Sequence, residues 1–130
     1  MNVSNSEING DTVWLWSGAD CVSDSINTGS TLHWAAKESI RCIDAGSEFG
    51  TYFFSNDEHD TSENCIKSSI ILYPDANGKY TYFSSSGVAA ELEDKTVIDK
   101  NLFISMLGFD EEIWNLDNID ITAGKYPTIR

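Results

Sequence analysis

Asp20-Cys21-Val22, Arg41-Cys42-Ile43 and Asn64-Cys65-Ile66 read as one phrase said three times, a cysteine beside a β-branched apolar residue, at spacings of 21 and 23 residues. Each phrase is followed by an aromatic, strand-like run: Leu32-His33-Trp34-Ala35, Thr51-Tyr52-Phe53-Phe54 and Tyr80-Thr81-Tyr82-Phe83. A local pattern recurring about every 20 residues marks a stacked-repeat architecture, because one turn cannot bury its apolar face alone. The expected fold is all-β, a short parallel β-solenoid of about three to four turns, eroded in that its turns differ in length.

Working outward, the first turn runs from Cys21 to about Ile40 with a corner at Asn27-Thr28-Gly29-Ser30, and the second from Cys42 to about Asn64. The polar insert Ser55–Glu63 reads as a solvated loop. The third turn begins at Cys65 and bends at Pro74-Asp75-Ala76-Asn77-Gly78, where Asn-Gly readily supplies positive φ. An antiparallel hairpin of Ile66–Tyr73 with Lys79–Phe83 around that bend is the alternative to stacking. Before the repeats, Thr12-Val13-Trp14-Leu15-Trp16 alternates with period two and reads as a strand, with Trp14 and Trp16 turned inward to fill the first turn. In register, the three cysteines would form an inward ladder of buried thiols about one strand spacing (~4.8 Å) apart. An adjacent pair would then also lie within disulfide reach.

After Ser84-Ser85-Ser86-Gly87, read as a linker, the pattern changes. Leu102, Phe103, Met106 and Leu107 recur at helical spacing, so a helix is predicted over Asp99–Leu107 with Gly108 as its stop and Phe109 folding back on Ile104. Asp110 is placed to cap a second short turn, with Phe109 stapled against Trp114. Ile119–Thr122, Ala123-Gly124-Lys125 and Tyr126–Ile129 read as strand, tight turn and strand, with Pro127 on an edge. The expectation is one domain, 1–130, with stacked β turns over 1–87 and a C-terminal cap over 88–130 that contains a short helix and a β-hairpin.

Composition narrows the partners. Eight basic against 21 acidic residues give a formal charge of −13, a field that repels phosphate backbones and anionic lipid heads, so neither nucleic acid nor membrane surface is an expected partner. The longest apolar run, Ile70-Ile71-Leu72-Tyr73, is far too short to span a bilayer, and Met1–Glu7 shows no export signal. The chain is expected to belong to a longer one. The cysteines form no CxxC pairs and the two histidines lie elsewhere, which argues against zinc.

No catalytic signature stands out. His59 within Asp57-Glu58-His59-Asp60 reads as a solvated loop residue. Asp75-Ala76-Asn77-Gly78 is turn chemistry lacking the glutamate that completes a calcium loop. His33 has no nucleophile beside it in sequence. No nucleotide-binding, hydrolase or metalloprotease motif is present. The reading is therefore a non-catalytic module without cofactor or metal. Two other readings stay open: carbohydrate recognition by exposed aromatics, with Trp34, Tyr52 and Tyr82 as the ligand-binding candidates, and a polysaccharide-acting β-helix enzyme using clustered acids.

A family resemblance enters at the C-terminus. Leu107-Gly108-Phe109-Asp110, Ile113-Trp114-Asn115-Leu116 and Gly124-Lys125-Tyr126-Pro127-Thr128-Ile129-Arg130 together resemble the last segment of GLUG-repeat regions in bacterial surface proteins. Asn64-Cys65 matches the asparagine-cysteine phrase of those repeats, while Cys21 and Cys42 match only its cysteine, and Phe49-Gly50-Thr51-Tyr52 is the nearest remnant of the Gly-rich core. The resemblance implies the end of a right-handed β-solenoid in an adhesin-like, cell-surface or secreted protein. It further implies host or cell-wall glycans or proteins as partners, and no catalytic residues.

Overall fold

A computed structural model describes residues 2–9, 12–15, 21–28, 31–34, 38–46, 66–72, 74 and 76–130; at 2, 12–15, 21, 31–34, 38–39 and 66 only the backbone is described. The elements in order are β1 (Asn2–Ser4), β2 (Glu7–Ile8), β3 (Thr12–Leu15), β4 (Cys21–Asn27), β5 (Thr31–Trp34), β6 (Glu38–Asp44), β7 (Ile66–Lys67), β8 (Ser69–Ile71), β9 (Thr81–Phe83), β10 (Ala89–Glu91), α1 (Lys100–Ser105), β11 (Trp114–Asn115) and β12 (Thr128–Ile129), with a 3₁₀ turn at Ile121–Ala123. Among the described residues the fold is all-β with one short helix.

Eight strands form one mixed sheet in the order β1-β4-β6-β8-β9-β10, with β2 alongside β4 and β7 alongside β6. β3 and β5 pair in parallel in a second, two-stranded sheet, so the chain alternates between sheets as it passes from β1 to β6. The strands from β1 to β8 pair in parallel, which a two-residue hairpin cannot achieve; each needs a crossover, and β3 and β5 lie within the first two. From β8 onward the sheet turns antiparallel, with Ile70 opposite Tyr82 and Ala90 opposite Tyr82 on the other side. Parallel pairing therefore runs up to β8, and the antiparallel hairpin around Asn77-Gly78 follows it within one mixed sheet. Ser84–Gly87, expected as a linker, is the tight turn joining β9 to β10, closed by the Gly87 N–H on the Ser84 carbonyl at 3.0 Å.

The register corrects the cysteine ladder. Cys21 pairs with Glu38, whereas Cys42 pairs with Ser25. Cys42 is a free, fully buried thiol, and Cys65 lies outside the described residues. The physical reason is that burial sets register: a slip would throw Ile26, Ile43 and Ile70, which occupy equivalent positions on three neighbouring strands, off the core face.

The C-terminal segment lies across a face of the sheet. Ile26, Ile43, Ile70 and Leu72 share one core with Leu102, Phe103, Leu107, Phe109, Trp114 and Leu116. Asp99 caps α1 by accepting the Leu102 N–H at 3.2 Å, as its place before the apolar spacing predicts. The helix stops at Gly108, which takes φ +74° and donates to the Ile104 carbonyl at 3.1 Å. Phe109 then folds back, its ring 6.3 Å from Phe103 and 5.0 Å from Trp114. Asp110 accepts the Glu112 N–H at 2.8 Å and so caps a single turn. The expected hairpin over Ile119–Ile129 is reduced to one bridge, Asp120 to Lys125, around the 3₁₀ turn, and β12 pairs instead with β11.

Candidate functional site

A kink repeated along the parallel strands organises the candidate site. Asn5, Asp24, Arg41 and Ser68 all take positive φ, between 48° and 54°. The registers flanking them, Ser4 to Ser23, Ser23 to Ile40 and Ile40 to Lys67, place all four at one level. A left-handed residue other than glycine costs about 1–2 kcal/mol, so four at one level need a common compensation. It is supplied by the next residue, Ser6, Ser25, Cys42 or Ser69. In each case its hydroxyl or thiol donates to the carbonyl two residues back, at 2.8, 2.8, 3.4 and 2.9 Å respectively. The same oxygens bridge strands: Ser25 Oγ accepts from the Ser6 N–H at 3.2 Å, and Ser69 Oγ from the Cys42 N–H at 3.0 Å.

One step further along, the buried Asn27 Nδ2 donates to Asp44 Oδ1 at 3.0 Å, and Asp44 Oδ1 also accepts the Gly46 N–H. Outside the kink, the Arg41 guanidinium grips both carboxylate oxygens of Asp24, at 2.5 and 2.9 Å. That hydrogen bond holds Arg41 still more firmly protonated, against the opposing effect of burial. Since the Arg41 side chain is 39% exposed, solvent screening limits the pair to about 1 kcal/mol or less.

The cysteine in this column is not a reactive one. Burial pushes the Cys42 thiol up to about 12, opposed by the Ser25 N–H, so almost no thiolate exists near neutrality.

The two ends of the eight-stranded sheet differ. At one end β10 is short, antiparallel and exposed along its length, carries Glu91 and leads into Glu93 and Asp94; such charge blunts an edge against further pairing. A shallow depression beside it is lined by Lys79, Tyr80, Leu92, Asp94, Thr96 and Ile98 and is spanned by an ion pair between Lys79 and Asp94. At the other end, β1 and β2 flank Asn5 and carry the repeated kink to the sheet's margin.

Of the aromatics singled out from the sequence, only Tyr82 has a described side chain. Tyr82 is in β9, half-buried and packed against the core; Trp34 ends β5 in the second sheet, opposite Leu15; Tyr52 lies outside the described residues. His33 pairs with Trp14 in that second sheet, and His59 lies outside the described residues. Among the described residues no group of three or more His, Cys, Asp or Glu side chains gathers at metal-binding distance, and no helix is long and apolar enough to cross a membrane.

Sequence reasoning missed the kink column. Its signal was present in Ser4-Asn5-Ser6, Ser23-Asp24-Ser25 and Lys67-Ser68-Ser69, where a hydroxyl residue follows one tolerant of positive φ. Compared with known proteins, the chain matches no family model, no curated protein and no solved structure.

Proposed function

We propose that this chain is a non-catalytic structural or adhesive module, the C-terminal end of a bacterial surface or secreted repeat protein built as a short β-solenoid. The observation that carries the reading is the kink at Asn5, Asp24, Arg41 and Ser68, repeated at one level on parallel strands with the same side-chain compensation. Repetition of one backbone element at fixed register is what stacked turns produce. The blunt, acidic β10 edge fits the closing end of such a stack. The likeness of Leu107–Arg130 to the ending of GLUG-repeat regions supports an extracellular or cell-surface setting, with a glycan or protein of host or wall as the partner.

The test is binding of the labelled full chain to glycan arrays and to isolated cell-wall fragments, with polysaccharide turnover measured in parallel. Saturable binding without turnover is expected. Turnover of any polysaccharide would overturn the reading, and silence on every surface would reduce it to a purely structural role.

A further inference from the structure

We infer that the outer margin of β1–β2 is a strand-accepting edge that takes an extended peptide in parallel, kinked at the level of Asn5. The inference deepens the proposed reading by naming the partner's chemistry, and it rests on that reading only for the stacked geometry. Three observations carry it.

The first is which way the backbone points. The Ser6 N–H donates to Ser25 Oγ, the Ser6 carbonyl accepts from Ile26, and the Ile8 carbonyl accepts from Thr28, so Ser6 and Ile8 face β4. Because successive residues of a parallel strand turn their peptide groups to opposite sides, the N–H and carbonyl of Glu7 face away from β4. The second is the hydroxyl. Ser25 and Ser69 each accept the N–H of the equivalent residue on the preceding strand, and Ser6 presents the same oxygen at the margin, its proton engaged by the Ser4 carbonyl. Among the described residues no strand occupies that side. The third is continuity: β1–β2, β4, β6 and β7–β8 already form a parallel ladder with one kink at one level, so the margin repeats an interface made three times inside the molecule.

The occupant this geometry fits is an extended peptide in which a residue tolerant of positive φ, such as Asn or Asp, precedes a small hydroxyl residue and then an aliphatic one. A flat strand would miss the Ser6 oxygen at the kink. β10, antiparallel and lacking the kink, offers no equivalent template.

The probe is a synthetic peptide of residues Val22–Thr28, titrated into the ¹⁵N-labelled full chain, with a scrambled peptide alongside. Saturable amide shifts confined to Ser4–Ile8 are expected, with no comparable shifts from the scrambled sequence. Ser6→Ala should weaken binding about fivefold, the worth of one neutral hydrogen bond. Glu7→Pro, which removes the outward N–H and the carboxylate that accepts the Ile129 N–H but none of the bonds to β4, should abolish it. Hydrogen exchange at Ile26 and Ile43 in each variant shows that the ladder is intact. With that protection retained, absence of shifts, equal shifts from the scrambled peptide, or shifts at Ala89–Glu91 would overturn the inference while leaving the module reading standing. Concentration-dependent shifts at Ser4–Ile8 without peptide would overturn it in favour of self-pairing between copies.

Discussion

The two faces of the central parallel strands are built on different principles, although they belong to the same residues' backbones. Ile26, Ile43 and Ile70 point to the face covered by the C-terminal segment and pack there against Phe103, Phe109 and Trp114. The alternate positions, Ser25 and Asn27, Cys42 and Asp44, then Ser69, are equally buried but polar or thiol-bearing and are joined by hydrogen bonds from strand to strand, until Ile71, opposite Asp44, makes the last position apolar. The apolar face supplies most of the burial energy and is forgiving of shape. The polar face contributes little net energy per bond, yet a one-residue slip would strand every partner in a dry interior. Packing holds the molecule together, and the polar ladder fixes which residue lies beside which.

The largest effect is expected from Ile43→Ala. Ile43 is fully buried between Ile26 and Ile70, and its truncation should cost about 2–5 kcal/mol in urea unfolding. Because this face is shared with α1 and Trp114, sheet and C-terminal segment should unfold in one transition; two separate transitions would show that the segment is not part of the same core.

On the polar face, a double-mutant cycle of Asn27→Ala and Asp44→Ala should give single losses of about 1–3 kcal/mol and a coupling near 1 kcal/mol. Strict additivity would mean that the 3.0 Å contact contributes nothing to stability. Gly108→Ala tests the seam between the two regions. Its φ of +74° disfavours a side chain, and the new Cβ would lie 3.2 Å from Arg41 Cδ, so a loss of about 1–3 kcal/mol is expected by thermal unfolding.

Cys42→Ser should be tolerated within about 1.5 kcal/mol at pH 7, because serine already fills the equivalent places at 6, 25 and 69 and its hydroxyl can make the same bonds. The substitution should, however, change the alkaline limb of stability. The folded thiol titrates at about 12, against about 8.5 in the unfolded chain, so its contribution is complete below about pH 8.5 and is lost above it. The slope is about 1.4 kcal/mol per pH unit toward pH 12, and Cys42→Ser should remove that one-proton slope from urea midpoints measured between pH 8 and 10. The smallest effect belongs to Asp120, whose carboxyl is held below the usual range by the Thr122 hydroxyl and the Ala123 N–H. Its contribution is present above the ordinary carboxylate pKa and lost as pH falls through the folded value. Asp120→Asn should flatten that acid limb slightly in thermal melts, leaving the rest of the profile unchanged.

Trp114 marks a place where the apolar face is imperfect. It is fully buried, and among the described residues its indole N–H finds no hydrogen-bond partner. An orphaned donor of this kind carries a desolvation cost, so Trp114→Phe should lose less than the missing ring area suggests.

What could be read from the sequence follows what is local in it. The helix over Asp99–Leu107, its cap at Asp99, its stop at Gly108 and the Phe109–Trp114 contact were all legible, because each depends on residues a few positions apart. The hairpin turn at Asn77-Gly78 was legible for the same reason. The parallel arrangement was legible as a class, but its register was not: conspicuous cysteines set the wrong pacing and hid the quieter run of hydroxyl residues behind Asn5, Asp24 and Ser68.

An all-β chain with recurring strands and a different, helix-bearing ending follows from apolar period and turn chemistry, which are written along the chain. Only the tertiary structure decided that Cys42 lies beside Ser25 rather than Cys21, that the ending covers a face of the sheet, and that β12 pairs with β11. Those choices are made between residues far apart in sequence. They go to whichever alignment buries Ile26, Ile43 and Ile70 together while leaving each neighbouring polar group with a partner.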